Sequence, residues 1–268
     1  VRPPSLPHPS GPAGPLSELT AAVLAGGLGT RLRSVVADRP KPMAPVAGRP
    51  FLTFILDQLA AHGIGRTVLC TGHLGERVRE SFGGSYRGMR LEYSCEPAPC
   101  GTGGALRLAL PRLLSPTVLI LNGDSYCDAP LEAFWAWHRR SGAPASLLLS
   151  WTEDTRRYGR VELEAGGRIG GFQEKCQTGG PGWISAGIYL LARTWIEEIP
   201  AGRPVSLERE LFPGWVPRGL HGYRGGSDLL DIGTPEAYAG AAAALRRLLS
   251  PAADPLPATP TLERGPVS

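Results

Sequence analysis

Lysine is almost missing from this chain: of its 28 basic side chains, only Lys41 and Lys175 are lysines. Arginine serves everywhere else, so two retained ammonium groups point to positions that a wider guanidinium would not fit, and both are expected to be functional. Also missing is any C-x-x-C pair or zinc-type histidine spacing among the five cysteines Cys70, Cys95, Cys100, Cys127 and Cys176. An odd set of this kind reads as reduced thiols, not as a disulfide framework or a zinc site. No apolar run reaches the roughly 18 residues of a membrane span, and the proline-rich amino end carries no apolar leader segment, so a cytoplasmic location is expected. A stripe of basic residues interleaved with aromatics is absent and the formal charge is a mild +4, which argues against nucleic acid as a partner. Gly26, Gly27 and Gly29 are not followed by Gly-Lys-Ser/Thr, and Leu32 stands where a dinucleotide fingerprint has its third glycine, so neither of those two phosphate loops is present.

What is present is a different phosphate loop. Thr20 to Ala25 is a short apolar run bounded by glycine, as expected of a strand buried on both faces. Gly26, Gly27 and Gly29 then allow positive φ and close approach of backbone amides to anionic oxygens. Arg31 adds a planar fork suited to a polyphosphate. Lys41, between Pro40 and Pro42, is a point charge on a backbone of fixed φ, suited to a leaving pyrophosphate. Taken alone, the loop also reads as an ordinary turn after a strand.

Six of the 27 prolines fall in residues 1–18 and five in 251–268, so these ends are expected to be disordered tails around one folded domain, 19–250. Within it, helix spacing at Phe51 to Leu59 is followed by a strand at Arg66 to Thr71, a short helix to Phe82 and a strand at Met89 to Ser94. This alternation implies right-handed crossovers and a parallel sheet of mononucleotide-binding type. A second glycine loop, Gly101 to Gly104, opens a helix running to about Leu114, and could line a base or simply start that helix.

The run Thr117 to Leu121 is the most regular buried strand and ends in Asn122-Gly123-Asp124. There Asp124 is placed either to hold magnesium on phosphate oxygens or to cap a turn. In the helix Leu131 to Arg140, Trp135, Trp137 and His138 read as packing residues. From Ala145 onward, strands joined by short turns predict an antiparallel extension. In it, Glu174-Lys175 would satisfy a phosphate and a polyol hydroxyl together, or form a solvated surface pair. Asp231 closes a short strand before Thr234, the expected N-cap, and Pro235, the first residue of the last helix.

In order over about residues 21–240, "LAGGLGTRLR" with "DRPKPMAPV", "GTGGA", "LNGDS", "RYG", "FQEK", "SAGIYLL" and "DIGTPEAY" resemble the sugar-1-phosphate nucleotidyltransferases. Within that superfamily "GTRLRSVVADRPKPMAPVAGRPFL" and "RYGRVEL" are most similar to the D-glycero-D-manno-heptose 1-phosphate guanylyltransferases. The resemblance implies an α/β fold with a Rossmann-like, mostly parallel sheet, helices on both faces and an antiparallel sugar-binding extension. It implies nucleotide contacts from Ala25, Gly26, Gly27, Gly29, Thr30, Arg31, Lys41, Gly101, Thr102 and Gly103. Around the sugar phosphate it implies Asn122, Tyr158, Gly159, Glu174, Lys175, Ser185 and Gly187, with Mg²⁺ on Asp124 and Asp231. Catalysis would fall to Arg31, Lys41, Asp124 and Lys175. Two departures bear on the sugar: Ser185 stands where many relatives have asparagine, and Cys176 where proline is usual.

The expected partners are a nucleoside triphosphate, GTP first, and a sugar 1-phosphate, heptose first, with a homo-oligomer possible. Mannose 1-phosphate with GTP, or glucose 1-phosphate with dTTP or UTP, is the alternative within the class. A non-catalytic sugar-nucleotide sensor is the alternative outside it, and two metal carboxylates with two retained lysines argue against that.

Overall fold

The computed structural model describes residues 15–27, 29, 32, 35–36, 38–175 and 179–249. Thr30, Arg31 and Cys176 lie outside these residues, as do 1–14 and 250–268.

Four strands build the amino-terminal half: β1 (Thr20–Ala25), β2 (Arg66–Thr71), β3 (Met89–Cys95) and β4 (Thr117–Asn122). They pair in parallel, in the order β3-β2-β1-β4. The crossovers carry α1 (Leu52–Ala61), α2 (Gly75–Phe82) and α3 (Gly101–Ala109). The chain thus leaves β1 to one side, through β2 and β3, and returns to its other side as β4. This reversal opens a crevice at the carboxyl ends of β1 and β4, where ligands of such sheets bind.

β1 and β4 read as uniformly apolar because both faces are covered. Val23, Leu119 and Leu121 face one core with α1, whereas Ala22, Val118 and Ile120 face the other with α3. Ile120 is fully buried, and its truncation to alanine would cost about 2–5 kcal/mol. α3 ends at Ala109 and continues only as a tighter turn, Leu110–Arg112, short of the expected Leu114.

The second half does not form a separate sheet. After α4 (Leu131–Ser141) come β5 (Ala145–Thr152), β6 (Gly159–Leu163), β7 (Ile169–Glu174), β8 (Gly182–Ala192) and β9 (Leu220–Arg224). β8 pairs antiparallel with β4, β5 and β6, and so fuses both halves into one ten-stranded sheet, whose tenth strand is the short Ser85–Tyr86 beside β3. The antiparallel expectation holds for β5, β6, β7 and β8, whereas β9, a strand the sequence pattern did not announce, runs parallel to β5. The pairing of β8 with β5 shifts register between Ser185 and Tyr189, an irregularity centred on Gly187 at φ +74°. A Cβ at 187 would lie 2.8 Å from Ser125 Oγ and 3.2 Å from Asn122 Nδ2, so only glycine lets β8 bend over the end of β4.

His138 is 5% exposed, its Nδ1 lies 2.8 Å from Ser146 Oγ, and burial pulls its pKa down to about 4. It is a packing residue, as its helical position predicts. Thr234 caps the final helix, Pro235–Leu249, accepting the Ala237 N–H at 3.3 Å. The expected amino-terminal boundary is corrected: Leu16–Glu18 forms a 3₁₀ turn, and Leu16 is buried in the core, so the folded part begins before residue 19.

Candidate active site

A cavity of about 540 Å³ opens at the carboxyl ends of β1 and β4, beneath the bend of β8. Ala25, Gly26 and Gly27 form one rim, continuous with β1. Positive φ is needed only at Gly29, at +59°, and neither Gly26 nor Gly27 uses it. Gly26 serves a different purpose, because a Cβ there would collide with the Glu96 carboxylate and come within 3.3 Å of the Gly72 nitrogen. Gly29 stands behind the rim, where a Cβ would meet Lys41 Cβ at 3.2 Å. Thr30 and Arg31, expected on the nucleotide, lie outside the described residues.

Lys41 opens a 3₁₀ turn, Lys41–Met43, flanked by the two prolines, and its side chain is 10% exposed. Its Nζ donates to Asp124 Oδ2 at 2.6 Å and stands 3.6 Å from Asp231 Oδ1. The two aspartates are 107 positions apart yet adjacent in space, because Ser125 and Asp231 pair in a short antiparallel ladder. The Ile232 amide also donates to the Asp124 carbonyl at 3.1 Å. Asp231 Oδ1 accepts the Gly233 N–H at 2.7 Å, which fixes its rotamer.

On the opposite wall, Asn122 donates from Nδ2 to the Tyr189 hydroxyl at 3.3 Å, while its Oδ1 is buried without a partner. Tyr158, Gly159, Glu174, Lys175, Ser185 and Gly187 also line the cavity. Burial raises the pKa of Tyr158, and that of Tyr189 far more, so both remain protonated donors. Lys175 adopts φ +55°, a left-handed conformation that costs a lysine strain of about 1–3 kcal/mol. Its Nζ lies 3.9 Å from Glu174 Oε1.

The second glycine loop divides. Gly101 and Thr102 reach the cavity, whereas Gly103 is buried in α3 with its N–H on the Val205 carbonyl at 2.9 Å. Gly103, expected among the nucleotide contacts, thus packs within the protein and does not line the cavity. Thr102 Oγ1 is engaged too, donating to Glu208 Oε2 and accepting from the Leu207 amide, each at 2.8 Å.

Several cavity residues escaped the sequence reading, among them Glu96, Arg157 and Glu208. Glu96 directly follows β3, and its Oε2 accepts from both the Cys100 amide (3.0 Å) and the Cys100 thiol (2.7 Å). Burial and this carboxylate push the Cys100 thiol up to about 12, which makes it a donor and not a nucleophile. Glu208 lies on a π-helical turn, Leu207–Leu211, with no local pattern to announce it. Arg157 could have been found, since it directly precedes Tyr158; its Nη2 lies 3.7 Å from Asp231 Oδ2.

Among the described residues no group of three or more His, Cys, Asp or Glu side chains converges as a metal cage. Asp124 and Asp231 nevertheless converge on a single cation, the Lys41 ammonium. Two carboxylates completed by phosphate oxygens and water are the donor set that suits Mg²⁺, so these residues fit that ion.

A parallel sheet with a glycine rim, an acidic pair and two lysines around one crevice defines a mononucleotide-binding phosphotransfer site. Residues 20–247 match the family model described as Nucleotidyl transferase, and the chain belongs to that family, as a sugar-1-phosphate nucleotidyltransferase. It is 38% identical over 238 residues to a mannose-1-phosphate guanylyltransferase of Mycobacterium tuberculosis, covering 87% of this chain and 66% of the relative. To a D-glycero-alpha-D-manno-heptose 1-phosphate guanylyltransferase of Aneurinibacillus thermoaerophilus it is 34% identical over 221 residues, covering 82% and 95% of the two chains. A crystal structure of HddC from Yersinia pseudotuberculosis complexed with GMP-PN superposes with a TM-score of 0.73 at 28% identity, covering 85% and 99%. Enzymes of this class join a nucleoside triphosphate and a sugar 1-phosphate into a nucleoside diphosphate sugar. Among the described residues no helix is long and apolar enough to cross a membrane.

Proposed function

We propose that this protein transfers GMP from GTP to D-glycero-D-manno-heptose 1-phosphate, with Mg²⁺ held by Asp124 and Asp231. The observation that carries the reaction is the convergence of Lys41, Lys175 and the two aspartates on one cavity. A phosphate oxygen of the sugar 1-phosphate attacks the α-phosphorus in line. The bond from that phosphorus to the bridging oxygen breaks, and pyrophosphate leaves with its electron pair. The nucleophile is already an anion at neutral pH, so no general base is needed and no proton has to move. Lys175, with Tyr158 beside it, holds the attacking phosphate, and Lys41 neutralises the leaving one. Asp124 and Asp231 would hold the divalent ion, which would supply charge neutralisation at the reacting phosphates.

Support for guanine comes from Glu96. Its Oε2 is taken by the Cys100 amide and thiol, which leaves Oε1 as an acceptor that suits the N1–H of guanine and repels the acceptor that adenine carries at N1. The two enzymes named above from the sequence comparison are both guanylyltransferases by description. For the sugar, Ser185 lines the cavity where many relatives carry the larger asparagine, which supports a sugar one hydroxymethylene unit larger than mannose. Mannose 1-phosphate is the second reading, favoured by the 38% identity to the mycobacterial enzyme.

A panel of the four nucleoside triphosphates against hexose and heptose 1-phosphates, read by pyrophosphate release, tests both choices. GTP with the heptose is expected to give the highest kcat/KM, with mannose 1-phosphate weaker. A preference for dTTP or UTP with glucose 1-phosphate would refute the pair.

A further inference from the structure

The carboxylates proposed above as metal ligands already have counter-charges built into the chain. Lys41 Nζ lies 2.6 Å from Asp124 Oδ2 and 3.6 Å from Asp231 Oδ1. Arg157 Nη2 approaches the other oxygen of Asp231, at 3.7 Å. Two monovalent cations thus face two carboxylates, and their summed charge equals that of one divalent ion. The Lys41 placement is specific: its side chain is 10% exposed, prolines bracket its backbone, and a Cβ at Gly233 would come within 3.2 Å of Nζ.

We infer that Lys41 and Arg157 act as an internal counter-cation for Asp124 and Asp231, so that the site takes its divalent ion only together with a nucleoside triphosphate. Two adjacent carboxylates repel each other, and a cation placed between them offsets that repulsion. In the ligand-free chain Lys41 and Arg157 meet that need. A bare Mg²⁺ would have to displace both and give up hydration water it holds tightly, for only two protein ligands in return. A triphosphate changes the balance, because its oxygens complete the coordination and also offer Lys41 and Arg157 new anionic partners. Arg157 thereby becomes a positioning residue: it keeps Asp231 oriented before loading and turns to a substrate phosphate afterwards. Its half-exposed guanidinium, 48% accessible, has the freedom for that movement.

This inference rests on the aspartates being metal ligands, and its test needs neither sugar nor turnover. Mn²⁺ binding is measured by electron paramagnetic resonance on the whole chain, with and without a non-hydrolysable guanosine triphosphate analogue. For the unmodified protein, weak binding without the analogue and at least tenfold tighter binding with it are expected. Lys41→Gln and Arg157→Gln should each bind Mn²⁺ without nucleotide more tightly, by about tenfold and about threefold respectively, and adding Asp124→Asn should abolish the Lys41→Gln gain. Melting curves check folding; if Lys41→Gln does not fold, the half-exposed Arg157→Gln decides the question alone. Mn²⁺ affinity indifferent to nucleotide and to both substitutions would overturn the inference and leave the proposed reaction standing. No Mn²⁺ binding even with the analogue would overturn the metal assignment itself.

Discussion

The Lys175 amide donates to the Tyr158 carbonyl at 3.0 Å, and this bond holds Lys175 in its left-handed conformation at the end of β7. Two sequence-distant segments are thereby tied so that both side chains line one wall of the cavity.

The shape of the cation, and not only its charge, should therefore matter. Lys41→Arg and Lys175→Arg keep the charge but replace a point donor by a wide fork, in a tight ion pair at 41 and on strained backbone at 175. Each is expected to lose at least tenfold in kcat/KM, about 1.4 kcal/mol. Steady-state kinetics at saturating partner substrate measure this, and wild-type values in both variants would remove the argument from lysine scarcity.

Asp124→Asn and Asp231→Asn should each lower kcat by about a hundredfold or more, through loss of charge at the reacting phosphates. Both side chains sit at the ends of short strands and not in the core, so circular dichroism spectra should stay unchanged. Full turnover by either variant at high Mg²⁺ would show that its carboxylate is not a ligand.

Base discrimination should depend on Glu96. Replacement by glutamine leaves one acceptor and puts a donor where guanine also donates, so the GTP-to-ATP ratio of kcat/KM is expected to fall by about tenfold or more. A ratio that survives Glu96→Gln would mean that backbone groups of Gly101 and Thr102 read the base without it.

The stability of the fold should depend on His138. Its folded pKa, near 4, lies below the usual value of 6.5, so between these limits the unfolded chain binds more protons than the folded one. Stability is then complete above about pH 6.5 and falls as the pH drops toward 4, by an amount on the order of 3 kcal/mol. Chemical denaturation across this window should show the loss, and His138→Gln should flatten it. An unchanged slope in the variant would assign the acid sensitivity to other groups.

Periodicity and end signals along the chain determined most elements by themselves: β1, β2, β4, α1 and the Thr234 cap fall within a residue or two of their expected places. They do so because buried parallel strands and amphipathic helices are local patterns, recorded within about ten consecutive residues. The glycine rim and the scarcity of lysine likewise singled out Lys41 and Lys175 before any contact was known. Only the tertiary structure decided that Lys41 stands between Asp124 and Asp231, that Gly26 is demanded by Glu96, and that Gly103 belongs to the packing of α3. It also decided that Arg157 and Glu208 enter the cavity and that β9 runs parallel to β5. Those relationships join residues up to 190 positions apart, as with Lys41 and Asp231, and depend on crossover direction and strand register. A linear pattern carries neither, because a one-residue shift in register exchanges the faces of a strand without changing its sequence.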